Sequence, residues 1–231
     1  MMPAAWIVPQ FSKATGGHVN LVDPNGSLWR GAATLMLAAG SDGGGATLLP
    51  GRIEWTTSFW ALFTGHVRMT MRQSEAMPEP ISVDASTRAA TLSAGQIGVP
   101  ATLFAGLGAP FNTLNFEGQV RLSWTDFRVL GRNVYGQVVV TLDDMVSRVS
   151  RMKPLGSYRV QIQAQGGEAE IGLSTSKGPL WLTGQGAISQ GATSFEGTAK
   201  AEPDQRENLA GLLNLLGRHT DPDTVALTFV R

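Results

Sequence analysis

The side chains able to do chemistry in this chain are few and scattered. Its three histidines, His18, His66 and His219, fall in a turn, on a polar strand face and just past a helix terminus, and no two have the short spacing that zinc ligation uses. Close carboxylate pairs occur at Asp143–Asp144 and at Asp221 with Asp223. Acid–base catalysis would need a pocket that drives the two pKa values of a pair apart. The first pair reads instead as a helix N-cap and the second as a turn through Pro222. Gly184-x-Gly186 lacks a third glycine, and Gly43–Gly45 lacks a following lysine and helix, so neither forms a phosphate cradle. There is no Gly-x-Ser-x-Gly elbow to expose a nucleophilic serine. Arg68, Arg72, Arg121 and Arg159 are dispersed, which suits solvated sheet faces better than a nucleic-acid track. Neither a catalytic centre nor a metal or cofactor site is expected.

The tryptophans are more informative. Trp29, Trp55, Trp60, Trp124 and Trp181 sit in or beside strand-like segments, where an indole serves either as a core anchor or as an exposed contact. Trp29, Trp55, Trp60 and Trp181, with Leu209 and Leu212 of a leucine-striped helix, are the candidate interaction residues. The leucines of that helix are expected to fill the core first and to reach an interface only at their exposed margin.

Positioning these residues falls to β-structure. Apolar and polar residues alternate strictly in Gln119–Thr125, Ser157–Gln165, Glu168–Ser174, His66–Arg72, Ile81–Ser86 and Val134–Leu142. Such period-two alternation puts one set of side chains on each face of a strand. Weaker segments at Val19–Val22, Leu28–Leu37, Arg52–Thr57, Thr91–Ile97, Ser194–Ala201 and Val225–Val230 bring the count to about a dozen strands. One-sided strands joined by short Gly/Pro/Asn/Asp turns imply a mainly β fold of mostly antiparallel strands. To hide a shared apolar face, the sheet is expected to curve strongly, as a partly open barrel or sandwich. Short helices are predicted near 3–14, with a kink at Pro9, near 143–152 and near 203–216. No linker marks a boundary, so residues 1–231 read as a single domain.

Composition narrows the partners. Lysine plus arginine and aspartate plus glutamate number 18 each, so no global field selects nucleic acid or an anionic surface. The chain has no cysteine, which excludes disulfides and thiolate chemistry without fixing a compartment. No run of about 18–20 apolar residues is present to span a bilayer. The start, MMPAAW, enters directly into a helix-like segment, as a chain trimmed of an upstream element would.

Several segments together resemble the type II secretion system protein N family. They are Pro3-Ala4-Ala5-Trp6, Ala14-Thr15-Gly16-Gly17, Gly26-Ser27-Leu28-Trp29-Arg30-Gly31 and Leu49-Pro50-Gly51-Arg52-Ile53-Glu54-Trp55, followed by Gly178-Pro179-Leu180, Phe195-Glu196-Gly197 and Leu212-Leu213-Asn214-Leu215-Leu216-Gly217. The resemblance covers nearly the whole chain and rests on order and spacing. It implies the periplasmic domain of a bitopic inner-membrane protein of Gram-negative bacteria, with Pro3–Gly17 lying just after a transmembrane helix that is missing here. It also implies a non-enzymatic role linking inner-membrane assembly proteins with the secretin or its connecting subunit, with membrane contact only through that missing helix. The alternative is a carrier that holds a lipid or other apolar ligand against the concave face of its sheet.

Overall fold

The computed structural model describes residues 3–14, 17, 19–38, 46–102, 104, 111–189 and 192–230. His18, the Asp42–Gly45 loop and the middle of the Ser189–Thr193 separator lie outside them. The described residues form 17 strands, and every ladder described below is antiparallel. The mainly β, antiparallel expectation therefore holds. Contacts divide the chain into two compact units, one built from 1–99, 103–113 and 125–131, the other from 100–102, 114–124 and 132–231.

The first unit contains β1 (Val19–Gly26), β2 (Arg30–Leu37), β3 (Thr47–Leu48), β4 (Ile53–Ser58), β5 (Val67–Arg72), β6 (Ile81–Ala85), β7 (Ala89–Leu92), most of β8 (Gly95–Pro100), and β10 (Phe127–Leu130). β2 lies between β1 and β4, with β3 beside its C-terminal end, and the ladder continues β4–β5–β6–β7–β10. A 3-10 turn at Ala4–Trp6 leads into α1 (Ile7–Ala14). Pro9 falls in the first turn of α1, where its missing N–H has no intrahelical partner to lose, so it is tolerated there. Ala4, Leu21, Ala33 and Trp55 make the buried cluster, with Val8, Leu35, Met69 and Met71 against it. Trp55 lies across Gly31 of β2, where a Cβ would come within 2.5 Å of its ring.

The second unit runs in the order β9–β11–β12–β13–β14–β15–β17–β16. These are β9 (Phe116–Trp124), β11 (Asn133–Ser147), β12 (Gly156–Gly166), β13 (Glu168–Lys177), β14 (Leu180–Ser189), β15 (Ala192–Ala201), β16 (Arg218–Asp221) and β17 (Thr224–Val230). Among the described residues, no ladder joins β16 back to β9 to close the sheet. α2 (Phe111–Leu114) precedes β9. After a 3-10 turn at Pro203–Gln205, α3 (Arg206–Leu216) packs on β15 and β17. The side chains of Leu209, Leu212 and Leu213 are fully buried there, alongside Ala199, Ala201 and Val225, while Leu215 is half exposed.

The helix expected near 143–152 is absent. β11 continues to Ser147, followed by turns and bends. Val138–Leu142 are paired on both sides, the ladder to β12 reaches Met145 and that to β9 reaches Ser147, and a helix from 143 would forfeit the ends of both. Asp144 adopts φ +48°, and both registers shift around it. That bulge breaks strict alternation, so Met145 and Val146 mimic a helical stripe beside Leu142. Asp143 and Asp144 are consequently not an N-cap.

Candidate interaction surfaces

One surface belongs to the first unit. Between the end of β4 and the start of β5 the chain reads Phe59-Trp60-Ala61-Leu62-Phe63-Thr64-Gly65, and Trp60–Thr64 forms a 3-10 helix. The turn is closed locally: the Gly65 N–H donates to Leu62 O (3.0 Å), the His66 N–H to Ala61 O (3.0 Å), and the Thr64 hydroxyl to Ala61 O (2.8 Å). Gly65 takes φ +75°, the left-handed conformation that ends the helix. In a 3-10 helix residues i and i+3 eclipse, which brings the rings of Trp60 and Phe63 to 5.8 Å on one side. Phe59 makes edge contacts to both, at 6.4 Å and 5.5 Å, and to Trp29 at 5.2 Å. Yet the rings face solvent: Phe59 is 53%, Trp60 78% and Phe63 72% exposed.

Beside this turn, Asp84 Oδ1 lies 2.9 Å from His66 Nδ1, and Arg68 donates to Asp84 Oδ2. The His66 hydrogen bond, then that from Arg68, holds the Asp84 carboxyl below its ordinary range.

The second surface is the polar face of the second unit. Ladder register sets two rows across β12–β15: Gln161, Gly172, Gln185 and Glu196 in one, Gln163, Glu170, Ala187 and Ser194 in the other. The first row holds Gly172, and the second Ala187 and Ser194, as small residues among longer neighbours. The space this leaves is an open groove of about 660 Å3. Trp181, half exposed, stands on the same face, about 13 Å along β14 from Gln185. On the opposite face Phe195 covers Gly184 and Gly186, where an added Cβ would come within 2.5 Å and 3.0 Å of its ring. These glycines thus make room for a cross-strand aromatic and cradle no phosphate.

The six sequence candidates separate accordingly. Trp55 is buried, its indole N–H donating to Ser27 O at 3.2 Å, and Leu209 and Leu212 are buried under α3. Trp29 is half-buried beneath Phe59, while Trp60 and Trp181 are exposed. Trp29 and Trp60 share the aromatic turn, and Trp181 belongs to the other unit. Sequence reasoning missed Phe59, Leu62 and Phe63, although five consecutive apolar residues between a strand and a glycine, without alternation, are a usable signal.

Other chemistry-bearing residues are accounted for locally. His219 Nε2 is 2.6 Å from Asn214 Oδ1, and Asp221 ends β16 while Asp223 lies in the turn that leads to β17. Ser174 and Lys177 stand at Ser-x-x-Lys spacing, but an extended strand carries them about 10 Å apart. Lys177 Nζ instead meets Asp144 Oδ1 at 2.7 Å, and that contact raises its pKa. Among the described residues, no three His, Asp or Glu side chains gather as a metal site. No described helix is long and apolar enough to cross a membrane.

Comparison with curated proteins and with solved structures gives no match. The model of the type II secretion system (T2SS) protein N family matches residues 17–228, nearly the whole chain, and the chain therefore belongs to that family.

Proposed function

We propose that this chain is a docking component of the type II secretion machinery, without chemistry of its own, that links inner-membrane assembly proteins to the secretin or its connecting subunit. It works on the periplasmic side of the inner membrane. The observation that carries the reading is the unused hydrogen-bonding capacity on the polar face of the second unit. Gln161, Gln163, Glu170, Gln185 and Glu196 line one groove and make no side-chain hydrogen bond among the described residues, with exposed Trp181 beyond them. A protein partner can satisfy such groups while an indole anchors the contact. Family membership supplies the class of partner.

An acyl chain placed in this groove would meet amides and carboxylates, so the groove itself does not serve the alternative apolar-ligand carrier. Residues 1–231 act as one domain in this reading. It is supported by the chain passing between the two units at 99/100, 102/103, 113/114, 124/125 and 131/132.

A photo-crosslinking residue at position 185 tests the proposal, with purified periplasmic domains of the other secretion subunits as targets. Crosslinks to an inner-membrane subunit and to the secretin or connector, weakened by Trp181→Ala, are expected. No crosslink to any of them, with secretion intact after deletion of the gene, would sink the reading.

A further inference from the structure

The aromatic turn has no role in that docking face, and its surroundings point to a different partner. Phe59, Trp60, Leu62 and Phe63 present their apolar surface from a single tight turn, and none is covered. Soluble surfaces rarely gather so many large apolar side chains in one place without a use.

Around this end of the sheet arginines outnumber carboxylates: Arg30, Arg68, Arg72 and Arg88 stand against Asp84 and Glu54. Arg68 pairs in register with Ser58, the residue just before the aromatics, and Arg30 pairs with Thr56 two residues earlier. His66 follows the turn directly. Arg88 lies in the neighbouring β6–β7 turn, where Ala85, the partner of Val67, meets Ala90. Among the described residues Arg30 and Arg88 are exposed with no side-chain partner; of the two nearby carboxylates, Asp84 is already engaged by His66 and Arg68, and Glu54 pairs in register with Arg72. The balanced charge of the whole chain conceals this local excess of cations.

We infer that the turn at 59–63 is an anchor for an anionic lipid surface: Trp60, Phe63 and Phe59 enter the headgroup–acyl boundary, and Arg30, Arg68 and Arg88 meet lipid phosphates around them. Tryptophan suits that boundary, since its ring is apolar and its N–H still finds a polar partner there. The contact is separate from any membrane-spanning helix. Apolar insertion and attraction to anionic headgroups reinforce each other, as in interfacial anchors generally. A second copy of the chain fits less well, because tip-to-tip pairing would set the arginines of both copies against one another.

The test is flotation of the 1–231 chain with vesicles of phosphatidylcholine alone, or with about one-third phosphatidylglycerol. The chain is expected to float with the anionic vesicles and to be released as salt rises. W60A/F63A should retain the melting temperature and lose about tenfold or more in partitioning. R30Q/R88Q should lose the preference for phosphatidylglycerol. With bromine-labelled acyl chains, quenching of tryptophan emission should fall sharply in Trp60→Phe, which keeps an apolar ring in the turn. Four outcomes overturn the proposal: no flotation of the parent chain, undiminished flotation of W60A/F63A, an unchanged lipid preference in R30Q/R88Q, or a dimer that W60A/F63A dissociates.

Discussion

Tyr158 is 4% exposed, and its hydroxyl has no hydrogen-bond partner among the described residues. Burial strips water from the phenolate and pushes the pKa well above the ordinary 10.0. The unfolded chain therefore releases this proton first, and stability declines as pH rises above 10.0. Lys177 acts in the same window, because its contact with Asp144 is fully present below the ordinary lysine value of 10.5 and is lost as pH rises through its raised pKa. Denaturant unfolding at a series of alkaline pH values should show this decline, with a shallower slope for Tyr158→Phe. At neutral pH the same substitution, by removing an orphaned donor, should leave stability unchanged or raise it by about 1 kcal/mol. Leu212→Ala, at a fully buried site, should cost about 2–5 kcal/mol by the same measurement, whereas Trp60→Ala should fall within about 0.5 kcal/mol of the parent. Alternation makes the inward direction of Tyr158 legible, since it shares a set with Val160 and Ile162. It does not reveal the orphaned hydroxyl, which depends on residues distant in sequence. Nor does it separate Trp55 from Trp60, five residues apart, because one caps a glycine on the next strand and the other ends in a turn.

Among the elements, the strands were the most readable, because a strand with one wet face writes its geometry into every second residue. Ser157–Gln165, Glu168–Ser174 and Ile81–Ser86 each lie in an observed strand or overlap one within a residue. Thr91–Ile97 fails because it straddles β7 and β8, and Phe127–Leu130 is too short to show a period. The bulge at Asp144 is a single backbone angle, which no residue pattern announces. Of the candidate surfaces, the polar groove was hidden because its rows run across four strands and exist only once register is known. At the end of α3 the identity of one residue has a steric cause. Gly217 is extended, and a Cβ there would sit 2.1 Å from Ala226 O of β17. Gly217→Ala must push β16 and β17 apart, and a loss of about 1–3 kcal/mol is expected, read by thermal or denaturant unfolding. A stability unchanged by that substitution would mean the helix exit is not confined by β17.

For the molecule as a whole, the order of strands along the chain does not match the order in which they pair. β10 lies in sequence between β9 and β11, yet it completes the ladder of the first unit beside β7. A fragment of residues 1–99 lacks that strand, and a fragment of residues 132–231 lacks β9. Neither is expected to unfold cooperatively or to show native near-UV circular dichroism, while the 1–231 chain does both. A cooperative transition in either fragment would refute the single-domain reading. The same interleaving governs the order of events as the polypeptide is made. While residues 100–132 emerge, β7 is waiting for β10 and β9 is waiting for β11, so both units present open ladders at once. This interval is when strand exchange between neighbouring nascent chains is easiest. A chaperone, or slow elongation just before residue 133, would act on this protein most strongly there.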